Sequence, residues 1–556
     1  MAAGSILNRW SKAFHSILNM DLFIATAMFV LLNVAQYFQP SAACPKECTC
    51  LTNGYVNCSS RGLTSVPDGI PPNTTILDLS GNTFSSIPDT AFNLTELQVL
   101  NLGKCGIREL PPNLFKGLAN LRALNLQENR IETLKRDTFA GITFVPEYRR
   151  MCFLGKEDRQ CILDLRKNPI KSIKAGAFRS TLHPRIYIGD EPTTTLTIEN
   201  RAFESLKRAN IVITNVADLV FETSAFEGCF EPRIIRIVDS GMDTLSHKAF
   251  GGITRVTYVE IDNCTIGEFP KALFLGTTFQ GRDNYVAENA ISIRRSTIKT
   301  VIPYMAFAGT DVRSISITEN TMHGFANFTF YGMKLYSLNI AMNTFTHQDS
   351  LRPYKLSGIQ EALLGIFIQN NSFNVIDKDA FTASKNINRL KITGHSENFT
   401  VSAFAFRDLS KVKELEFDNM GSLLLEKNSL SGIDITRIRF YESTITDFDR
   451  NAINTCVPGF ASLSMYSGPI PCDCFAAGLA YFCRFKNIGY FISCRDGMNS
   501  RSVTAFGSTA EWHGPNPALP KCTASSALTC PGGGASLKSV SPFLIAVLIV
   551  MLLFTF

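Results

Sequence analysis

The chain has 556 residues and a formal charge of +6, and it carries 42 Phe against 2 Trp. That length exceeds one ordinary globular core, so several domains or a repeat array are expected, and the Phe excess points to one recurring structural slot. The modest charge comes without a concentrated basic run, which argues against nucleic acid as a partner.

In chain order, residues 1–43 read as a signal peptide: Arg9, Lys12 and His15 precede the apolar run Leu22–Ala35, and Ser41 and Ala43 suit a signal peptidase. The polar lead-in is long, so an uncleaved signal anchor is the alternative. Residues 44–73 hold Cys44, Cys48, Cys50 and Cys58 in the stretch "CPKECTCLTNGYVNC", immediately before the first repeat.

A repeat array spans 74–470. In "LQVLNLGKCGIRELPPNLFKGLANLRALNLQENRIETL" the set Leu97, Leu100, Leu102, Ile107, Leu110, Phe115 returns 24 residues later as Leu121, Leu124, Leu126, Ile131, Leu134, Phe139. This is the leucine-rich template L-x-x-L-x-L-x-x-N/C-x-L, whose L-x-L portion forms a short strand. Pairs in that slot number sixteen. The first eight are Leu77/Leu79, Leu100/Leu102, Leu124/Leu126, Leu163/Leu165, Ile186/Ile188, Ile211/Ile213, Ile235/Ile237 and Val259/Ile261. Turns nine to sixteen carry Ile291/Ile293, Ile315/Ile317, Leu338/Ile340, Ile366/Ile368, Leu390/Ile392, Leu415/Phe417, Ile438/Phe440 and Leu463/Met465. Phe178, Phe203, Phe226, Phe250 and Phe274 keep the same phase and are expected inside the convex side. The template therefore predicts an α/β solenoid of about sixteen turns with a parallel concave sheet. Insertions at Phe144–Arg159, Gly276–Glu288 and His347–Ala362 are expected as loops.

Sixteen cysteines in a secreted chain should mostly pair. Residues 471–530 form a second cysteine-rich set, opening with "PCDC" at Cys472 and Cys474 and continuing to Cys494 and Cys522. Open solenoid ends expose apolar core and strand edges, so a cap too small for its own core is stapled by disulfides. Cys152 and Cys161 are expected to staple the first insertion. Cys105 and Cys264 occupy the N/C slot filled elsewhere by Asn82, Asn129, Asn168, Asn320, Asn343 and Asn371, and are read as buried thiols. Cys483 has Cys530 or Cys456 as its partner, and Cys229 has none that the spacing argues for.

Past the second set, Gly532, Gly533 and Gly534 precede a spacer, Ala535–Pro542, and the apolar run Phe543–Phe556. A spanning helix needs about 20 apolar residues and polar flanks. Residues 531–556 therefore read as a glycolipid-anchor signal with attachment at Gly532. Gly533 and Gly534 are competing sites, and a short transmembrane tail reaching back through Val540 is the alternative reading.

The C-x3-C-x-C-x7-C cluster, the repeats and the "GPIPCDC" entry to the final set resemble the capped extracellular leucine-rich-repeat proteins, a group that includes Slit, the Nogo receptor and variable lymphocyte receptors. The resemblance runs from Cys44 to Cys522 and implies disulfide caps at both ends of a curved horseshoe. It implies the pairings Cys44–Cys50, Cys48–Cys58, Cys472–Cys494 and Cys474–Cys522, and an anchored or secreted binding protein. The chain departs from that group in its larger number of turns, its Ile-rich strands and the lack of a long stalk.

Sequons at Asn57, Asn73, Asn93, Asn263, Asn327, Asn370 and Asn398 permit N-glycans in the secretory pathway. Catalysis is not expected: the 7 histidines are scattered, no H-E-x-x-H occurs, and no Gly-rich phosphate loop leads from a strand into a helix. No catalytic, cofactor-binding or metal residue is assigned, and no cofactor.

Recognition is the positive expectation, because residues flanking the two apolar positions of L-x-L face the concave surface. Tyr187, Arg236, Tyr258, Lys391, Glu416 and Arg439 are the candidate ligand face. Lys391, Glu416 and Arg439 lie on successive turns, so mutual neutralisation across strands stands as an equal reading. The expected role is a receptor or adhesion protein on the outer leaflet of the plasma membrane, bound through its anchor, with an extracellular protein or glycan ligand and a co-receptor for any signalling. A secreted matrix or pathogen-recognition factor, or a non-catalytic subunit of an enzyme assembly, are the other readings.

Overall fold

The structure is a computed structural model that describes residues 44–513 apart from 52, 85, 145–161, 280–290, 311, 347–354, 395–397, 449–460, 472–488, 497–498 and 507–508. The signal and anchor segments, Gly532, Cys152, Cys161, Cys472, Cys474 and Cys522, the side chain of Cys494, and most of the three insertions lie outside the described residues.

Each of the sixteen expected apolar pairs sits in, or directly at the end of, a strand of one parallel sheet that runs from Ile76–Asp78 to Ser462–Pro471. The register follows the phase of the repeats: Leu77 pairs with Leu100, Leu100 with Leu124, and Leu124 with Leu163 across the first insertion. The paired apolar side chains are buried along the whole array. Because no turn buries these residues alone, each strand is stable only as part of the stack.

Where the slot after the strand holds Asn, Ser or Cys, its side chain is held by hydrogen bonding, whereas Val216 and Met420 fill it with apolar contact. Asn129 Nδ2 donates to Leu102 O at 2.8 Å and Leu126 O at 2.9 Å, while its Oδ1 accepts from Cys105 N and Ile107 N. Cys105 and Cys264 are buried free thiols in this slot, and Cys105 Sγ donates to Leu79 O at 3.2 Å. Burial pushes the Cys105 thiol up to about 11 and that of Cys264 to about 12. Cys229 is also free and buried.

Phenylalanines form the opposite wall of the core. Phe139, Phe178, Phe203, Phe226 and Phe250 stack face to face with ring centroids 5.3, 5.4, 4.7 and 5.2 Å apart. The Phe139–Phe178 step bridges the first insertion, so the inserted residues leave the ladder intact. Among the described residues the expected solenoid is built without helix; its convex segments are turns. Positive φ at Arg201, Ser205 and Arg208 breaks the segment after Ile198 every few residues, which leaves no run long enough to nucleate a helix.

At the N-terminal end, Thr49–Cys50 pairs antiparallel with Tyr55–Asn57, which adds in parallel to Ile76–Asp78. Disulfides Cys44–Cys50 and Cys48–Cys58 hold this cap over the first turn, the pairing that the resemblance implies. Beyond the sixteenth turn, Gly489–Asp496 continues the sheet in parallel and Asn499–Phe506 turns back against it.

Candidate ligand face on the concave sheet

Side chains alternate along each strand, so the residue between the two buried apolar positions of a turn projects from the concave surface. Register connects these central residues into one ladder. From the seventh turn it reads Arg236, Glu260, Ser292, Ser316, Asn339, Phe367, Lys391, Glu416 and Arg439.

Turns thirteen to fifteen form a charged cluster. Lys391 Nζ donates to Glu416 Oε1 at 2.7 Å and to Asp418 Oδ2 at 2.6 Å. Burial would lower the Lys391 pKa, but the bonds to Asp418 and Glu416 outweigh it and hold the ammonium above its usual range. Arg439 does not reach Glu416 as its main partner: its Nη1 lies 2.6 Å from Glu414 Oε1, with Arg389 and Arg437 at 3.6 and 3.7 Å from the same carboxylate. Of the candidate trio, the structure thus joins Lys391 to Glu416 and gives Arg439 to the next ladder.

A second cluster of the same design occupies turns seven to nine. Arg236 bonds Glu260, Arg294 reaches both Glu260 at 2.7 Å and Asp262 at 2.9 Å, and Arg295 Nε donates to Asp262 at 2.8 Å. In both clusters the carboxylates Glu260, Asp262, Glu414 and Glu416 lie underneath and the arginines above, while Asp418 is as exposed as the Lys391 that it binds. Glu260 and Glu414 side chains are 2% and 4% exposed, whereas Arg294 and Arg437 are 40% and 44% exposed. A molecule approaching the face therefore meets guanidinium, although each cluster is largely neutralised within.

The remaining candidates are packed into the face. The Arg166 guanidinium lies 5.0 Å from the Tyr187 ring centroid and is itself paired with Asp164 at 2.5 Å. Burial, with Glu260 beside it, holds the Tyr258 phenol above its usual range. Glu260, Asp262 and Glu414, the partners that organise the clusters, lie on the face that strand alternation predicts but are not among its candidates; their signal is register, since Glu260 pairs with Arg236, Asp262 with Arg294, and Glu414 with both Arg389 and Arg437. The Tyr441–Tyr466 stack, with centroids 4.5 Å apart, is likewise not among them.

Sequon asparagines are distributed over the solenoid. Asn73, Asn93, Asn263, Asn327, Asn370 and Asn398 are exposed, and Asn57 is half-buried with its Oδ1 accepting from Ser59 Oγ at 2.7 Å. Among the described residues no group of three or more His, Cys, Asp or Glu side chains is placed to hold a metal ion, and no helix is long and apolar enough to cross a membrane.

Comparison with known proteins gives matches along the described array. The family model "BspA type Leucine rich repeat region" matches residues 162–280, 283–404 and 360–458, together just over half of the chain. "Leucine rich repeat" matches 72–131 and 95–143, and "Leucine rich repeat N-terminal domain" matches 43–71. Leucine-rich repeat-containing protein 3B of Homo sapiens is 36% identical over 128 residues, 22% of this chain and 49% of that protein. Leucine-rich repeat-containing G-protein coupled receptor 5A of Xenopus laevis is 36% identical over 115 residues, 20% of this chain and 13% of the receptor. The matched segments span at most about half the length of these relatives. Among solved structures, a TLR13-ssRNA13 complex aligns over 76% of this chain and 71% of its own at 15% identity and a TM-score of 0.25.

Proposed function

The chain belongs to the leucine-rich repeat family, and from that premise we propose that it is a non-catalytic recognition protein of the cell surface, binding an extracellular protein or glycan through its concave sheet. The observation that carries this reading is the continuous outward ladder of the sheet, in which cations stand over buried carboxylates in two clusters. Charge presented in this way steers and orients a partner without being free to collapse onto the protein. The two disulfides of the N-terminal cap suit an oxidising, extracellular compartment. Attachment through a glycolipid at Gly532, N-glycans on the exposed sequon asparagines, and capping at the C-terminal end as in the Slit and Nogo-receptor group complete the proposal.

The test has two parts. Cells expressing the full chain are stained without permeabilisation before and after phosphatidylinositol-specific phospholipase C; the proposal expects surface signal that the enzyme releases. The same cells are then used in a screen against extracellular proteins and glycan arrays. Absence of surface signal would sink the location, and a partner whose binding ignores charge reversals on the concave face would sink the role given to that face.

A further inference from the structure

Between the two cation clusters the concave face changes character. Over turns ten to twelve the central ladder is Ser316, Asn339 and Phe367, and the ladders beside it carry Ser337 and Gly365 on one side and Thr318 and Ala341 on the other. No residue of these three ladders is charged over three consecutive turns, and all but Phe367 and Gln369, both on turn twelve, are small or short, so the floor is low over turns ten and eleven. At Gly365, φ is +151° and an added Cβ would come 2.3 Å from Arg389 O, so no larger residue raises the floor there. Asn339 Oδ1 is buried and finds no hydrogen-bond donor among the described residues.

One lip of this trough is apolar. Strand Lys334–Ala341 has one residue between Leu335 and Ser337 where Glu361–Gln369 has two between Ala362 and Gly365, and this bulge turns Tyr336, Leu363 and Leu364 outward. They are 37%, 43% and 43% exposed, and the Arg313 guanidinium lies 4.7 Å from the Tyr336 ring centroid. Clustered exposed apolar side chains beside a low floor mark an interaction site rather than ordinary surface.

We propose that turns nine to thirteen bind an extended protein segment lying along the solenoid axis, apolar at its centre and acidic at both ends. The inference rests on the proposed recognition role and specifies the partner. Arg294 at one end and Arg389 with Lys391 at the other take the acidic ends, and the trough with its lip takes the apolar centre. A sulfated glycan would need cations along its whole length, and the floor of the three central turns offers none, Arg313 being stacked on Tyr336 at the lip. Adjacent strands are about 4.8 Å apart, so turns nine and thirteen are separated by about 19 Å, which about six extended residues cross.

The full-length chain, purified in detergent, is titrated with three fluorescent synthetic peptides and with heparin. Each peptide has a six-residue core between two three-residue ends: apolar core with acidic ends, apolar core with lysine ends, and serine core with acidic ends. The expected result is saturable binding of the first, at least about tenfold weaker binding of the other two, and weakening of the first as salt rises. Phe367→Ser and Ser316→Glu should each weaken it at least about fivefold, while Tyr331→Ser, an exposed aromatic on the convex side, should not. Ser316 is itself buried, so should either variant fail to fold, the ranking of the three peptides on the wild-type chain carries the test. No binding of the first peptide, equal binding of all three, or heparin binding indifferent to both variants overturns the assignment. A partner from the surface screen that binds Phe367→Ser and Ser316→Glu as it binds wild type also overturns it, yet leaves the recognition role standing; loss of surface display removes that role instead.

Discussion

Replacing Glu414 by Gln tests whether the cation clusters are structural. Its side chain is 4% exposed and serves three guanidiniums: Arg439 at 2.6 Å, Arg389 at 3.6 Å and Arg437 at 3.7 Å. Removing one partner of a buried ion pair costs about 3–5 kcal/mol. Here the arginines are 27%, 43% and 44% exposed, so water recovers part of that, and about 2 kcal/mol is expected. Because a solenoid is stabilised turn by turn, the loss should be local. Hydrogen exchange should show protection falling by about 30-fold over residues 389–441, the equivalent of 2 kcal/mol, with turns one to six unchanged. A double-mutant cycle with Arg439→Gln should return a coupling of about 1–2 kcal/mol. Glu109→Gln is the control: its pair with Lys135 has a similar 2.8 Å separation but is 74% and 50% exposed, so no measurable change is expected. Equal effects at Glu414 and Glu109 would refute the claim that burial, and not proximity, gives the clusters their strength.

Three further outcomes follow from the core and the cap. Burial pushes the Cys229 thiol up to about 12 and Cys105 to about 11, against about 8.5 for a free thiol, so the folded state keeps protons that the unfolded chain gives up. Their stabilisation is full below pH of about 8.5 and is lost as pH rises toward 11–12; iodoacetamide should label neither in the native protein at pH 8, and the melting midpoint should fall more steeply above pH of about 9 than in Cys229→Ala. Cys48→Ser should abolish secretory export, since loss of a native disulfide in a small module costs about 2–5 kcal/mol, whereas Cys105→Ser should leave the disulfide map unchanged; a bridged Cys105 in mass mapping would contradict its buried slot. Phe203→Ala, which opens a gap between rings 5.4 and 4.7 Å away, should cost about 3–5 kcal/mol and lower exchange protection first in turns four to six.

Much of the solenoid was legible because its physics is periodic. A residue such as Leu163 keeps its phase across an insertion, since the strand must still bury it against Leu124, and the slot asparagines announce themselves by spacing from those pairs. The turns of the convex side were less legible: the α/β expectation came from the repeat template, while left-handed residues such as Arg201 and Ser205, which interrupt the convex segment of the fifth turn, are of types that also suit helices. The candidate ligand face was legible only in part. Reading each strand alone picks out Lys391, Glu416 and Arg439, but which cation takes which carboxylate depends on side-chain reach across the sheet, and Arg439 takes Glu414. Tyr336, Leu363 and Leu364 were invisible to that reading, because they are exposed by a bulge that no single strand displays.

The two clusters share an arrangement that bears on specificity. In each, a turn of carboxylates lies between two turns of cations, Glu260 and Asp262 between Arg236 and Arg294, and Glu414 and Glu416 between Lys391 and Arg437. If the sole purpose were neutralisation, apolar residues of similar volume would serve as well, since buried ion pairs seldom add net stability over a hydrophobic packing. What the carboxylates supply is position. An arginine held from below loses little further freedom when a partner's acid binds from above, so less of the interaction is spent on ordering the side chain. The same carboxylates also set a penalty for the wrong partner, because a cation approaching the face cannot reach them without displacing guanidiniums already bonded to them. Charge reversal of the peptide ends should thus weaken binding by more than charge removal does, a difference that measurement with acidic, neutral and lysine ends at one salt concentration would show.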